Sequence, residues 1–293
     1  MLFARLLFTT TLLVTLCAPA FAGFGLVLPS TPAVDNPETG TLKILLGAVE
    51  PFFGQGIALE RPQAFTALRH SGETVDRSEH LSVLEETTAY GARGWTTEIA
   101  LPHPGVYHFI MHTKAGWVPE QNRFVQYITS TQVPVQGSSE GWDKPVGTGF
   151  EIVPLSRPFG LCAGMGFTGQ VLQDGKPLPG ALVDITRLTT SVKPDVKPEV
   201  KADVKADAKQ EAKAEAAKQD ARARQNAAFL PIQQIKTDSQ GVFTFGCPVP
   251  GWWAFASSMS GDPLQDPEGK LKPLEIKTVL WIYMDDCKTR TKR

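Results

Sequence analysis

Short apolar runs, each closed by turn residues, repeat from Gly23 to about Leu155. This punctuation leaves room for strands but not for long helices. The runs are 24–28, 41–49, 64–68, 94–100, 105–112, 123–133 and 149–153. Pro29-Ser30, Asn36-Pro37, His103-Pro104-Gly105 and Gly137-Ser138-Ser139 break them. Strands at this spacing predict an antiparallel β-sandwich over 23–155. Within 105–112, alternation sends Val106, His108, Ile110 and His112 to one face and Tyr107, Phe109 and Met111 to the other.

Residues 151–184 read as a junction. One strand ends near Val153, a Pro-rich connector follows, and a new module starts at Phe167. There 169–172 runs into Asp174-Gly175, which supplies the positive φ of a tight hairpin. Further strands are expected at 181–185, 232–236, 242–245, 252–256 and 276–284, with a turn at Asp238-Ser239-Gln240-Gly241. The order Gly169, Val171, Gly175, Pro177, Gly180-Ala181, Val183, then Thr237-Asp238, Gly241, Phe243 and Phe245 resembles the transthyretin-like, carboxypeptidase-regulatory-like β-sandwich. The expected fold class is thus all-β, two antiparallel sandwich domains at 23–155 and 156–293. Such scaffolds imply no activity by themselves.

An insertion at 191–228 splits the second module. Its four-residue repeat places Lys193, Lys197, Lys201, Lys205, Lys209 and Lys213 at i,i+4, and Asp195, Glu199, Asp203, Asp207, Glu211 and Glu215 likewise. On a helix like charges would stack, at a cost of roughly 0.2–0.5 kcal/mol per pair. Pro194 and Pro198 add to the objection. A disordered start and a fraying helix over about 208–226 are expected, without an apolar stripe.

The first 22 residues have the form of an export signal: Arg5, an apolar stretch at 6–16, and the small-x-small site Ala20-Phe21-Ala22. That stretch is shorter than the ~20 residues a membrane span needs, and no later run is long and apolar enough. The expected product starts at Gly23, in the periplasm. It keeps Cys162, Cys247 and Cys287. Either all three are buried thiols or two pair, with Cys162–Cys247 the first choice because both flank strands of one module. With 29 Lys+Arg against 30 Asp+Glu, the balance argues against nucleic acid or an anionic membrane as the main partner.

Catalytic signatures are missing. Gly164-Met165-Gly166-Phe167-Thr168-Gly169 spells a dinucleotide motif, but a strand follows it, so no helix N-terminus would meet a phosphate. No nucleophile–base pair shows at a recognisable spacing, and an enzyme is disfavoured. His108 and His112 share a strand face, yet four residues of strand cover ~13 Å whereas metal–nitrogen bonds are ~2 Å. They cannot both bind one ion from a straight strand. Strand-end carboxylates at Glu50 and at Asp285-Asp286, beside Cys287, could offer donors to a cation. Of the successive Trp252 and Trp253, one ring should point inward and one outward, the latter covering the junction between modules or presenting a platform.

Several blocks together resemble the NikM-like family of exported bacterial proteins, periplasmic components of nickel/cobalt uptake systems. They are Phe24-Gly25-Leu26-Val27-Leu28-Pro29-Ser30, Pro51-Phe52, Pro104-Gly105-Val106-Tyr107, Glu140-Gly141-Trp142-Asp143, residues 151–160, Gly241-Val242-Phe243-Thr244-Phe245, Gly251-Trp252-Trp253 and residues 279–285. The resemblance implies two β-sandwiches and a non-catalytic role beside an inner-membrane metal importer. The chain departs from the family at two positions: Gly23 and Glu50 stand where members carry histidine. The candidate nickel or cobalt ligands left are Glu50, His103, His108 and His112. The other function considered is an interaction module that binds an envelope protein or glycan without metal.

Overall fold

The computed structural model describes residues 23–35, 41–51, 54–69, 73–84, 91–189 and 232–287. The expected export signal and the 191–228 insertion lie outside the described residues. The first half forms β1 (Phe24–Pro29), β2 (Leu42–Glu50), β3 (Gln55–Ile57), β4 (Ala64–Arg69), β5 (Thr74–Asp76), β6 (Ser82–Leu84), β7 (Gly94–Ile99), β8 (Gly105–His112), β9 (Gly116–Val118), β10 (Arg123–Val135) and β11 (Phe150–Pro154). The second forms β12 (Leu161–Cys162), β13 (Gly166–Gln173), β14 (Lys176–Pro177), β15 (Leu182–Arg187), β16 (Gln233–Lys236), β17 (Val242–Gly246), β18 (Gly251–Gln265) and β19 (Leu271–Asp285). The class is all-β, as the punctuation required. The turn between β13 and β14 carries φ +49° at Asp174 and +72° at Gly175, as the Asp-Gly pair demands.

Three sheets form among the described residues. One runs β1-β2-β7-β6 with β3 on β2; one runs β11-β13-β14 with β17 on β13. The third, ten-stranded, runs β16-β15-β18-β19-β10-β8-β4-β5 with β9 and β12 attached. It crosses the boundary expected near residue 155. β10 pairs β19 in parallel, from Phe124↔Leu274 to Thr131↔Trp281. The sequence expectation had antiparallel sandwiches, one per module. The parallel pairing falls mostly within the expected run, at residues 276–281 of β19, so it is the choice of partner and not the extent of the strand that the local pattern leaves open.

The faces sort into three cores. Val27, Ile44 and Leu46 meet Phe65, Phe109 and Met111 in the first. Phe150, Phe167, Val171 and Phe243 meet Ile185, Phe255 and Leu280 in the second. The third joins Phe24, Leu26, Leu28, Leu45 and Val49 to Ala254, Ala256, Val279 and Trp281. Strand β1 thus buries both faces, and all six of its residues are buried. Burial of this much apolar surface, at about 25 cal/mol per Å², ties the first strand to the last. Trp253 enters the second core and Trp252 packs on the third, so the tryptophan pair spans the junction between modules.

Candidate functional site

The start of β1 builds the first cluster. Its free edge is sealed by side chains of β19 instead of by another strand. Trp281 Nε1–H donates to the Gly25 carbonyl at 2.7 Å. Lys277 Nζ donates to the Gly23 carbonyl at 3.3 Å and lies 5.4 Å from the centre of the Phe24 ring. Lys277 is 4% exposed. Glu275 neutralises it at 3.5 Å and also accepts from Arg123 at 3.0 Å and from the Ser258 hydroxyl at 2.6 Å. Burial alone would raise the Glu275 carboxyl; the Lys277 charge, the Ser258 and Arg123 hydrogen bonds and the Arg123 charge outweigh it and hold the group below the usual carboxylate range.

Tyr127 closes this end. Burial pushes its phenol well up, and the negative Glu275 adds to that. A Cβ on Gly23 would stand 2.5 Å from the Tyr127 hydroxyl and 2.7 Å from Ile57 Cδ1, so only glycine fits without displacement. A Cβ on Gly25 would overlap Thr129 Oγ1. That oxygen is fully buried with no hydrogen-bond partner among the described residues. Glu50 ends β2 and is 5% exposed. The β1–β2 register pairs Phe24 with Val49, which sets Glu50 across from Gly23 one step on.

The second cluster lies on the opposite face of the ten-stranded sheet. His108 and Gln132 are register partners on β8 and β10. His108 Nε2 donates to the Gly141 carbonyl at 3.2 Å, and Gln132 Nε2 donates to the Trp142 carbonyl at 3.0 Å. Buried Glu151 of β11 accepts from the amides of Val146 and Gly147 at 2.8 and 3.0 Å. Three buried polar side chains therefore strap the 136–149 loop across the sheet. Such groups belong inside only when hydrogen-bonded. The space left beneath is about 20 Å³, the size of roughly one water.

The candidate ligands do not converge. The ten-stranded sheet stands between Glu50 and His108. His103 is exposed in the turn before β8, where its carbonyl accepts the Tyr107 hydroxyl at 3.2 Å. His112 ends β8, beside Ala64 of β4, and burial holds its imidazole below the usual range. Among the described residues no three His, Cys, Asp or Glu gather as a metal set. No helix among the described residues is long and apolar enough to cross a membrane.

The cysteine expectation is corrected. Cys162 pairs with Cys287, with Cα atoms 5.5 Å apart; Cys247 is the buried free thiol. The parallel pairing of β12 with β19 sets Cys162 beside Asp285, two residues from Cys287. Burial pushes the Cys247 thiol up to about 12. Sequence spacing missed this because β12 has only two residues. The Gly-rich motif lies in and before β13; a Cβ on Gly169 would reach 2.8 Å from the Phe243 ring, a packing requirement unrelated to phosphate.

A family model described as a domain of unknown function, DUF4198, matches residues 20–261. No curated protein matches the chain in sequence. Among solved structures, the native conformation of E. coli alpha-2-macroglobulin is 12% identical, with 90% of this chain and 14% of that chain covered at a TM-score of 0.21. Dimeric latent PorU from Porphyromonas gingivalis is 9% identical, with 90% and 20% covered at 0.22. The N-terminal Ig1-2 module of the Drosophila receptor protein tyrosine phosphatase DLAR is 11% identical, with 88% and 98% covered at 0.21. The chain spans a fifth or less of the first two proteins.

Proposed function

The chain belongs to the DUF4198 family, defined by a domain of unknown function, and we propose that it acts after export as a non-catalytic accessory of a nickel/cobalt-type uptake system, docking on the importer rather than carrying the ion. The observation that carries the export half is the Cys162–Cys287 disulfide, since such bonds persist in oxidising compartments. Docking is favoured over ion carriage because Glu50, His103, His108 and His112 are dispersed, and His108 is engaged in holding a loop. The resemblance in the blocks from Phe24 to Asp285 supplies the link to metal uptake.

Equilibrium titration of residues 23–293 with nickel and cobalt tests the division of labour. The reading expects no binding tighter than millimolar. Stoichiometric micromolar binding that is lost in Glu50→Gln or His112→Ala would make the protein an ion carrier.

A second reading, glycan or protein binding without metal, is favoured by one surface. Trp117 lies 5.0 Å from Phe124, Lys272 Nζ stands 5.8 Å over the Trp117 ring, and neighbouring Leu271 is 69% exposed. A half-exposed ring flanked by polar groups suits a sugar face.

A further inference from the structure

Strands β18 and β19 run past the last contact with β15. β15 leaves β18 at Val183↔Ser257, while β18 and β19 stay paired as far as Gln265↔Leu271. Beside the start of β10, this overhang encloses an open pocket of about 270 Å³. Arg123, Ser258, Ser260 and Glu275 give it polar walls, and Met259 and Leu274 give it apolar ones. The register sets Ser260 opposite Glu275 and Ser258 opposite Lys277, so these four side chains share one face of the hairpin. Small-molecule sites start at roughly 300 Å³, so the space suits a compact ligand.

Donors outnumber acceptors here. A guanidinium carries five N–H groups. Among the described residues Arg123 spends them on Glu275 alone, through Nη1 at 3.0 Å, and its side chain is 43% exposed. The Ser258 hydroxyl is given to Glu275. Ser260 is exposed, and its hydroxyl makes no hydrogen bond among the described residues. The charges are lopsided in the same sense. Glu275 is held ionised and is shared between Arg123 at 3.0 Å and Lys277 at 3.5 Å. Two cations against one carboxylate leave a local surplus of one positive charge, in a chain that is otherwise balanced.

We propose that this pocket binds a small organic carboxylate, whose oxygens take the unspent N–H groups of Arg123 and the Ser260 hydroxyl while its carbon body lies against Met259 and Leu274. Planar guanidinium and carboxylate groups match in two parallel hydrogen bonds. A single negative charge fits the surplus. A dianion such as phosphate fits less well, because Glu275 stays in the pocket as a competing anion. The site invokes neither a metal nor an importer, so its failure is distinct from failure of the docking proposal.

Titration of the purified protein with lactate, followed by nuclear magnetic resonance, tests this. Lactamide, a neutral amide of the same shape, and inorganic phosphate are the comparisons. One saturable lactate site is expected, with a Kd on the order of 1 mM for about six heavy atoms, and with shifts centred on Arg123 and Ser260. Lactamide should not saturate, and phosphate should bind more weakly than lactate. Arg123→Gln should weaken lactate by about tenfold or more, the worth of a charge-assisted hydrogen bond. Ser260→Ala, at an exposed position that leaves the fold alone, should weaken it as well. Folded Glu275→Gln should tighten it, because the resident carboxylate no longer competes for Arg123. No saturation up to about 50 mM, equal binding of lactamide, tighter binding of phosphate, unchanged affinity in Arg123→Gln and Ser260→Ala, or weaker affinity in Glu275→Gln would each overturn the proposal.

Discussion

Tyr127 of β10 and Lys277 of β19 are direct neighbours in parallel register, one from each half of the chain. Their side chains rise on the same face and enclose Gly23 between them. The two modules suggested by the sequence thus share one hydrogen-bonded sheet and one core. Fragments 23–155 and 156–293 made separately should fail to fold, because each exposes a long unpaired edge and half of the third core. Amide dispersion in a nuclear magnetic resonance spectrum checks this; two well-dispersed fragments would contradict it.

The cysteines give a count. In the 23–293 protein, a thiol reagent at pH 8 should find none reactive in the native state, since Cys247 is buried with its thiol raised to about 12. One should react after denaturation without reductant, and three after reduction. Cys287→Ser should cost about 2–4 kcal/mol of stability, because the bond closes a loop with a sequence separation of 125.

Acid should loosen the sheet junction. The Glu275 carboxyl lies below its ordinary value in the folded state. Its contribution is therefore complete above the unfolded value of ~4.3 and is lost as pH falls through the lower folded one. Glu275→Gln should flatten that acid limb in urea midpoints measured from pH 6 downward. Lys277→Met keeps the packing on Phe24 but strips the charge from Glu275 and the donor from Gly23. A loss of about 2–4 kcal/mol at neutral pH is expected.

The strap should be separable from the fold. Glu151→Gln weakens the bonds to the Val146 and Gly147 amides and should cost about 1–3 kcal/mol. Hydrogen exchange at those two amides should quicken far more than exchange in β10. His108→Ala should free the neighbourhood of Gly141 in the same way. Uniform quickening across the sheet would show that the loop and the sheet open as one unit.

Much of the fold was legible because it is written in local pattern. The run at 105–112 became β8 with the same bounds, and its Tyr107, Phe109 and Met111 face did enter the core. The Asp174-Gly175 turn followed from backbone sterics. What the pattern hid is long-range. The parallel pairing of β10 with β19 is a property of two segments far apart, and no periodicity in either records it. Strands such as β5 and β9 were missed because three residues are too few to show an alternation. The disulfide was misassigned since its geometry depends on another remote pairing, that of the two-residue β12 with β19. For the site, His108 and His112 both lie on β8 as the alternation placed them, whereas the contacts of Lys277, Tyr127 and Glu151 had no sequence signal beyond ordinary strand positions.

Cross-linked capture from a bacterial envelope fraction, using residues 23–293 as bait with and without a chelator, tests the docking claim most directly. The account predicts that the same inner-membrane importer subunit is recovered in both conditions. Recovery of no importer, or recovery that disappears when the chelator is present, would contradict it.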